Sequence, residues 1–202
     1  MVASGYIVGG VLADGEAWIG LNTSTLGSDA ALVTFKSGFA DGDDPAGSGS
    51  GGVQNWDQYM DLVLIGYARS AVSSASGGCY VVLNNDTGAN YTVQWFYGNG
   101  SSLYVNSGTT YTYVPLGNIP ANTAGANEFN GSIVHLFDIN SGKYKSCLTT
   151  NAQDSNGDGQ VALDASVWRN QAPISEIDIS ASADLKSGSV FSLFGILPRM
   201  VA

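Results

Sequence analysis

Turn-forming pairs punctuate this chain at short intervals, and that spacing limits what it can fold into. NDTGAN at 85–90, GNGSS at 98–102, NSGTT at 106–110, NSGK at 140–143 and SNGDG at 155–159 each carry an Asn-Gly, Ser-Gly, Thr-Gly or Asp-Gly step. Such steps tolerate positive φ and close hairpins. Between them lie short runs of β-branched and aromatic residues, too short for a helix to bury a face and of the length of a strand. The clearest runs are 31–35, 62–69, 79–83, 91–97, 109–114, 132–139, 143–149, 174–181 and 190–196. About nine strands separated by turns predict an all-β fold, an antiparallel β-sandwich of jelly-roll type.

Local patterns assign faces. Ile177, Ile179 and Ala181 alternate with Glu176, Asp178 and Ser180, the mark of a half-buried strand with a wet outer face, and its expected neighbour is 190–196, with Phe191 and Leu193 sharing a face. The run 132–139 is apolar on both faces and reads as a central strand. Residues 37–55, SGFADGDDPAGSGSGGVQN, carry almost no core formers and read as a long surface loop. The first dozen residues are too apolar for a solvated tail, so residues 1–14 read as an extended arm and 15–202 as a single sandwich domain. Tyr6, Ile7, Val8, Val11 and Leu12 on the arm, with Phe39 at the loop edge, are the expected partner contacts.

Composition narrows the function. Only seven Lys and Arg stand against seventeen Asp and Glu, a formal net charge of -10, and affinity for phosphates is built from Lys and Arg, so no nucleic-acid partner is expected. No run of about 18 apolar residues offers a membrane span. The opening MVASGYIVGGVLADGEAW lacks a basic n-region and its apolar stretch is broken by Gly, so no secretory signal is expected. Cys79 and Cys147 each sit in an apolar strand-like run and read as buried free thiols, with a cross-sheet disulfide as the alternative.

Catalytic motifs are sparse. His135, the one histidine, lies in the apolar run IVHLF, and no G-x-S-x-G surrounds any serine, so no enzyme is expected and no catalytic residue is assigned. Asp154, Asn156 and Asp158, followed by Gly159, match positions 1, 3, 5 and 6 of a calcium loop. Position 12 is Ala165, with Asp164 one place early, so a Ca²⁺ site on those three residues competes with a plain Asn/Asp/Gly turn. Tyr91, Tyr97, Tyr104, Tyr111 and Tyr113 alternate with small polar residues, as cross-strand packing does; stacking on sugars is the other reading.

Four ordered pieces resemble a recurrent class of tailed-phage virion structural proteins. YMDLVLIGYAR at 59–69 is similar to that class's Tyr-x-x-Leu-x-Leu-x-Gly-x-x-Arg strand, and LNNDTGANYT at 83–92 to its Phe-Asn-x-Asp-Thr-Gly-x-Asn-Tyr turn. SGKYKSCLT at 141–149 resembles its strand of alternating lysines. The stretch from Trp168 to Ile196 resembles its C-terminal signature of a Trp, an Ala-(Ile/Pro)-x-x-Ile segment and a Gly-Ser-x-Phe-x-Leu-(Tyr/Phe)-Gly-Ile terminus. The resemblance covers Trp18 to Ile196 and implies a virion component, either a capsid decoration (cement) protein on the outer surface of the head or a tail-fibre or receptor-binding tip. It further implies assembly in the host cytoplasm, the major capsid protein as partner, and a homo-oligomer, a trimer by the threefold positions such proteins occupy. The acidity suits a surface that faces away from packaged DNA.

Overall fold

The structure, a computed structural model, describes residues 7–8, 11–12, 18–38, 55–154 and 159–197. Two short strands, β1 (Ile7–Val8) and β2 (Val11–Leu12), pair with each other in an antiparallel ladder apart from the main sheets. Twelve further strands form the sandwich: β3 (Trp18–Thr25), β4 (Val33–Lys36), β5 (Asp61–Ala68), β6 (Ser76–Leu83), β7 (Tyr91–Gly98), β8 (Leu103–Tyr111), β9 (Val114–Pro120), β10 (Asn130–Leu136), β11 (Lys145–Gln153), β12 (Gln160–Trp168), β13 (Glu176–Ala181) and β14 (Val190–Ile196). They make an eight-stranded sheet ordered β3-β14-β5-β10-β11-β12-β7-β8 and a four-stranded sheet ordered β4-β13-β6-β9, every pairing antiparallel.

The expected jelly roll is present. Setting aside β7, β8, β11 and β12, the orders β3-β14-β5-β10 and β4-β13-β6-β9 are the two interlocked Greek keys of an eight-stranded jelly roll. The other four strands are two hairpins, β11–β12 and β7–β8, that extend one sheet past β10, where β9 of the smaller sheet packs against them. The last strands to be reached along the chain occupy interior places: β14 between β3 and β5, and β13 between β4 and β6.

Twelve strands replace the nine expected, for local reasons. β3 (WIGLNTST) carries Gly, Asn, Ser and Thr, and in β12 (QVALDASVW) Ala, Asp and Ser interrupt the β-branched and aromatic run, so neither forms an unbroken strand signal of its own. The run 109–114 straddles the turn between β8 and β9. NSGTT is therefore no hairpin: Gly108 lies within β8, and its missing side chain makes room for the Tyr111 ring, which stands 2.4 Å from where a Cβ would be. The expected pairing of 176–181 with 190–196 is also corrected, because β13 and β14 belong to different sheets. Nor is the outer face of β13 uniformly wet. Asp178 is buried and accepts a 2.6 Å hydrogen bond from the Thr34 hydroxyl of β4.

The core lies between the sheets, where Phe35, Leu83, Leu116, Ile119, Ile177 and Ile179 meet Leu62, Leu64, Val134, Leu136, Phe191 and Leu193. Trp56, in a 3-10 turn, and Trp168, at the end of β12, are both fully buried. β9 packs across β10, β11, β12 and β7. At Gly117, with φ +95°, the β9 backbone passes so close to Asn151 of β11 that a Cβ would stand 2.4 Å from it.

Candidate functional site

Two surfaces are unusual for a sandwich, and both lie on the extended sheet. The first is its outer face. Directly opposed residues of an antiparallel pair point to the same side, so the registers Val105↔Phe96, Phe96↔Leu163, Leu163↔Thr150, Thr150↔Ile133 and Ile133↔Ile65 define one row across six strands. Flanking rows add Leu103, Val161, Tyr67, Leu148 and Phe194, and Val63 lies buried beneath them. Val105 is 74% exposed, Leu103 70% and Val161 67%. A sandwich normally turns polar side chains outward. Here the only acid and the only histidine on the strands of this face, among the described residues, are Asp61 and His135, and no Lys or Arg joins them. Those two neutralise each other's demand for partners: His135 Nε2 lies 3.0 Å from Asp61 Oδ2, while Asp61 Oδ1 accepts from the Asp138 backbone N–H. His135 also stacks on Phe137 with ring centroids 3.9 Å apart. Toward β8 the face dips into a depression of about 540 Å³ lined by Phe96, Val105, Leu148, Leu163 and Ala165 among others.

The second surface is a cleft where the extended sheet overhangs β9. On its inner face Trp95 and Tyr97 stand opposite Asp164 and Ala162. Trp95 stacks on Tyr97 (centroids 5.8 Å apart), and Tyr97 on Tyr104 across the hairpin (4.7 Å). The facing wall holds Tyr80 and Tyr113, 4.4 Å apart, with Tyr111 edge-on to Tyr113. Asn118 donates through Nδ2 to Gln160 Oε1 at one end. The cleft is open to solvent with a volume of about 300 Å³, and Asp164 lies in its lining. Asp164 is 5% exposed, and among the described residues no hydrogen bond or ion pair reaches its carboxyl. Desolvation by burial pushes it up to about 6. Beside it on the same inner face, the hydroxyls of Thr149 and Ser166 and the Oδ1 of Asn151 are buried without a hydrogen-bond partner, whereas Asp164 lines the open cleft.

Not all of the residues singled out by sequence fall within the described structure. Tyr6, Phe39, Asn156 and Asp158 lie outside the described residues. Ile7, Val8, Val11 and Leu12 form the small β1–β2 ladder. Asp154 and Gly159 flank the hairpin that joins β11 to β12, closed by the Gln153↔Gln160 pair. Asp164 sits several residues along β12, facing the sandwich interior, and so is no part of that loop. Among the described residues no three His, Cys, Asp or Glu side chains gather at one point. Cys79 and Cys147 are free thiols, one in each sheet, each pushed up to about 12 by burial.

The motif pieces behind the phage resemblance meet in space. The Gly195 backbone lies against the Tyr59 ring, 2.5 Å from where a Cβ would stand, and Gly66 makes similar room for Phe191. The Arg69 backbone N–H donates to Ser189 Oγ, and its guanidinium donates to the carbonyls of Ala124, Gly125 and Glu128. Trp168 Nε1 donates to Asp86 Oδ2 at 2.7 Å, while Asn90 and the Gly88 N–H also donate to Asp86. Burial works to raise the Asp86 carboxyl, but these hydrogen bonds outweigh it and hold it below the usual range. The buried Lys145 ammonium donates to the carbonyls of Ser141, Lys143 and Gln171. Positive φ at the start of this turn falls on Asn84 and Asn85, while Gly88 of the Thr-Gly step keeps negative φ.

Sequence reasoning missed Asp164, Trp95 and Tyr80 as a group. The alternation Ala162, Asp164, Ser166, Trp168 was enough to put the carboxyl on an inward face, but not to show that β9 stops short of covering it. No protein-family model matches the chain, and no curated protein matches it in sequence.

Proposed function

We propose that this chain is a non-enzymatic virion structural protein of a tailed phage, a decoration protein that cements the outer surface of the head shell. The observation that carries the reading is the outer face of the eight-stranded sheet, apolar and without Lys or Arg in a chain of net charge -10. Seven interstrand steps of about 4.8 Å and strands of about seven residues give a face of roughly 34 by 24 Å. That is about 800 Å², what one partner contributes to a standard interface. Apolar side chains cover part of that face, and exposed apolar patches of a few hundred Å² mark association surfaces. The occupant proposed is the major capsid protein, with Tyr6, Ile7, Val8, Val11, Leu12 and Phe39 extending the contact onto neighbouring subunits. A trimer of this chain at threefold positions completes the reading. A Ca²⁺ ion on Asp154, Asn156 and Asp158 is compatible with it and is tested by calorimetric titration of the chelator-treated protein.

Copy number in purified particles, measured against the major capsid protein, is the direct test. The cement reading expects hundreds of copies, and expects particles lacking the protein to release DNA at a lower temperature. Ile7→Asp with Val8→Asp, and separately Ile133→Lys with Val161→Lys, should lower occupancy while leaving the sandwich folded. A few copies confined to tails, or an unchanged release temperature, would overturn it in favour of a tail-fibre tip. Sedimentation of a monomer alone at micromolar concentration would remove the trimer.

A further inference from the structure

The aromatic cleft asks for its own explanation, because a carboxyl that is 5% exposed with no hydrogen-bond partner is costly to keep. Nothing in the packing requires it: Ala162 and Ser166 share its face with small side chains. Its position in the lining of an open cleft is where a ligand could satisfy it.

The lining restricts the ligand. An anion is disfavoured, since no Lys, Arg or His lines the cleft and its one charged group is an acid. A hard cation takes six to eight oxygens and would find a single carboxylate. A wholly apolar ligand would leave the Asp164 carboxyl without a partner. What fits is a ring that is apolar on its faces and carries several hydroxyls at its rim. Its C–H surface packs on Trp95, Tyr97 and the facing tyrosines, and its hydroxyls donate to Asp164 and exchange hydrogen bonds with the two amides.

We infer that the cleft between β7–β8 and β9 is a carbohydrate site that holds one neutral sugar ring, with Asp164 as the hydroxyl acceptor and Trp95 and Tyr97 as the packing surface. A volume of about 300 Å³ suits a single ring with its neighbour projecting into solvent. The inference is independent of where the protein sits on a particle.

The test uses the full-length chain on a broad array of neutral glycans, followed by titration of the best binder with the Trp95 indole resonance as readout. The expected result is saturable binding that shifts Trp95. Asp164→Asn should weaken it about tenfold or more, the worth of one hydrogen bond to a charged acceptor, while its circular dichroism stays that of the parent. Trp95→Ala should weaken it as well, whereas Ile133→Lys, on the opposite face of the sheet, should leave it unchanged. Choline chloride is the competing probe, because an aromatic cage with a carboxylate also suits a quaternary ammonium ion. Saturable choline binding at this site, no glycan bound across the array, or glycan binding untouched by Asp164→Asn would each overturn the inference.

Discussion

Asp164 works against stability at neutral pH, and the sign follows from its environment. Burial raises its folded pKa to about 6, above the 3.8 of the free side chain. Between those values the folded state holds the proton more often than the unfolded state does, so unfolding releases protons and stability falls as pH rises from about 4 to about 6. Above that window the penalty is constant, on the order of 3 kcal/mol. Asp164→Asn should therefore raise the melting temperature at pH 7 and flatten its dependence between pH 4 and 6, as differential scanning calorimetry would record. Gly195 carries the opposite kind of constraint. A Cβ there would meet the buried Tyr59 ring, so Gly195→Ala should cost about 1–3 kcal/mol in a denaturant titration.

Between elements, the clasp of Asp86 with Trp168 ties the β6–β7 turn to the end of β12. Arg169 reinforces it, donating to the carbonyls of Ala89 and Thr109. Asp86→Ala leaves the buried indole N–H without its acceptor and opens the turn, so a loss of about 1–3 kcal/mol is expected by chemical denaturation. Trp168→Phe with Asp86→Ala should cost little more than the larger single change, the signature of a shared interaction in a double-mutant cycle. Elements with β-branched runs were legible in the sequence: 62–69, 79–83 and 91–97 all fall on strands, and Val190–Ile196 coincides with β14. β3, β9 and β12 were not, because Gly, Pro, Asn and Ala weaken their own strand signal and only their neighbours' registers hold them extended. The aromatic cleft was half legible. Alternating tyrosines announced a packed face, but the overhang that leaves part of that face open depends on β9 ending a sheet, a long-range fact no local pattern encodes.

Across the whole molecule, the thiols of Cys79 and Cys147 report on integrity. Both are buried with their ionisation suppressed, so the native protein should resist thiol-reactive dyes near neutral pH and present two reactive thiols only on unfolding. The interior positions of β13 and β14 bear on the order of events during synthesis. Until the ribosome has released residues 176–196, each sheet holds a vacancy bordered by two unpaired strand edges, at β3 and β5 in one and at β4 and β6 in the other. Such edges invite pairing with other chains, and closing them demands contacts between distant parts of the sequence, which slows folding. A chain ended at residue 187 should aggregate, and a peptide copying 188–197 should suppress that aggregation, as light scattering would record. In a cell making many copies at once, the strand that fills the slot can come from another molecule as readily as from its own, so late arrival of β14 makes strand exchange between newly made chains the characteristic hazard of this topology.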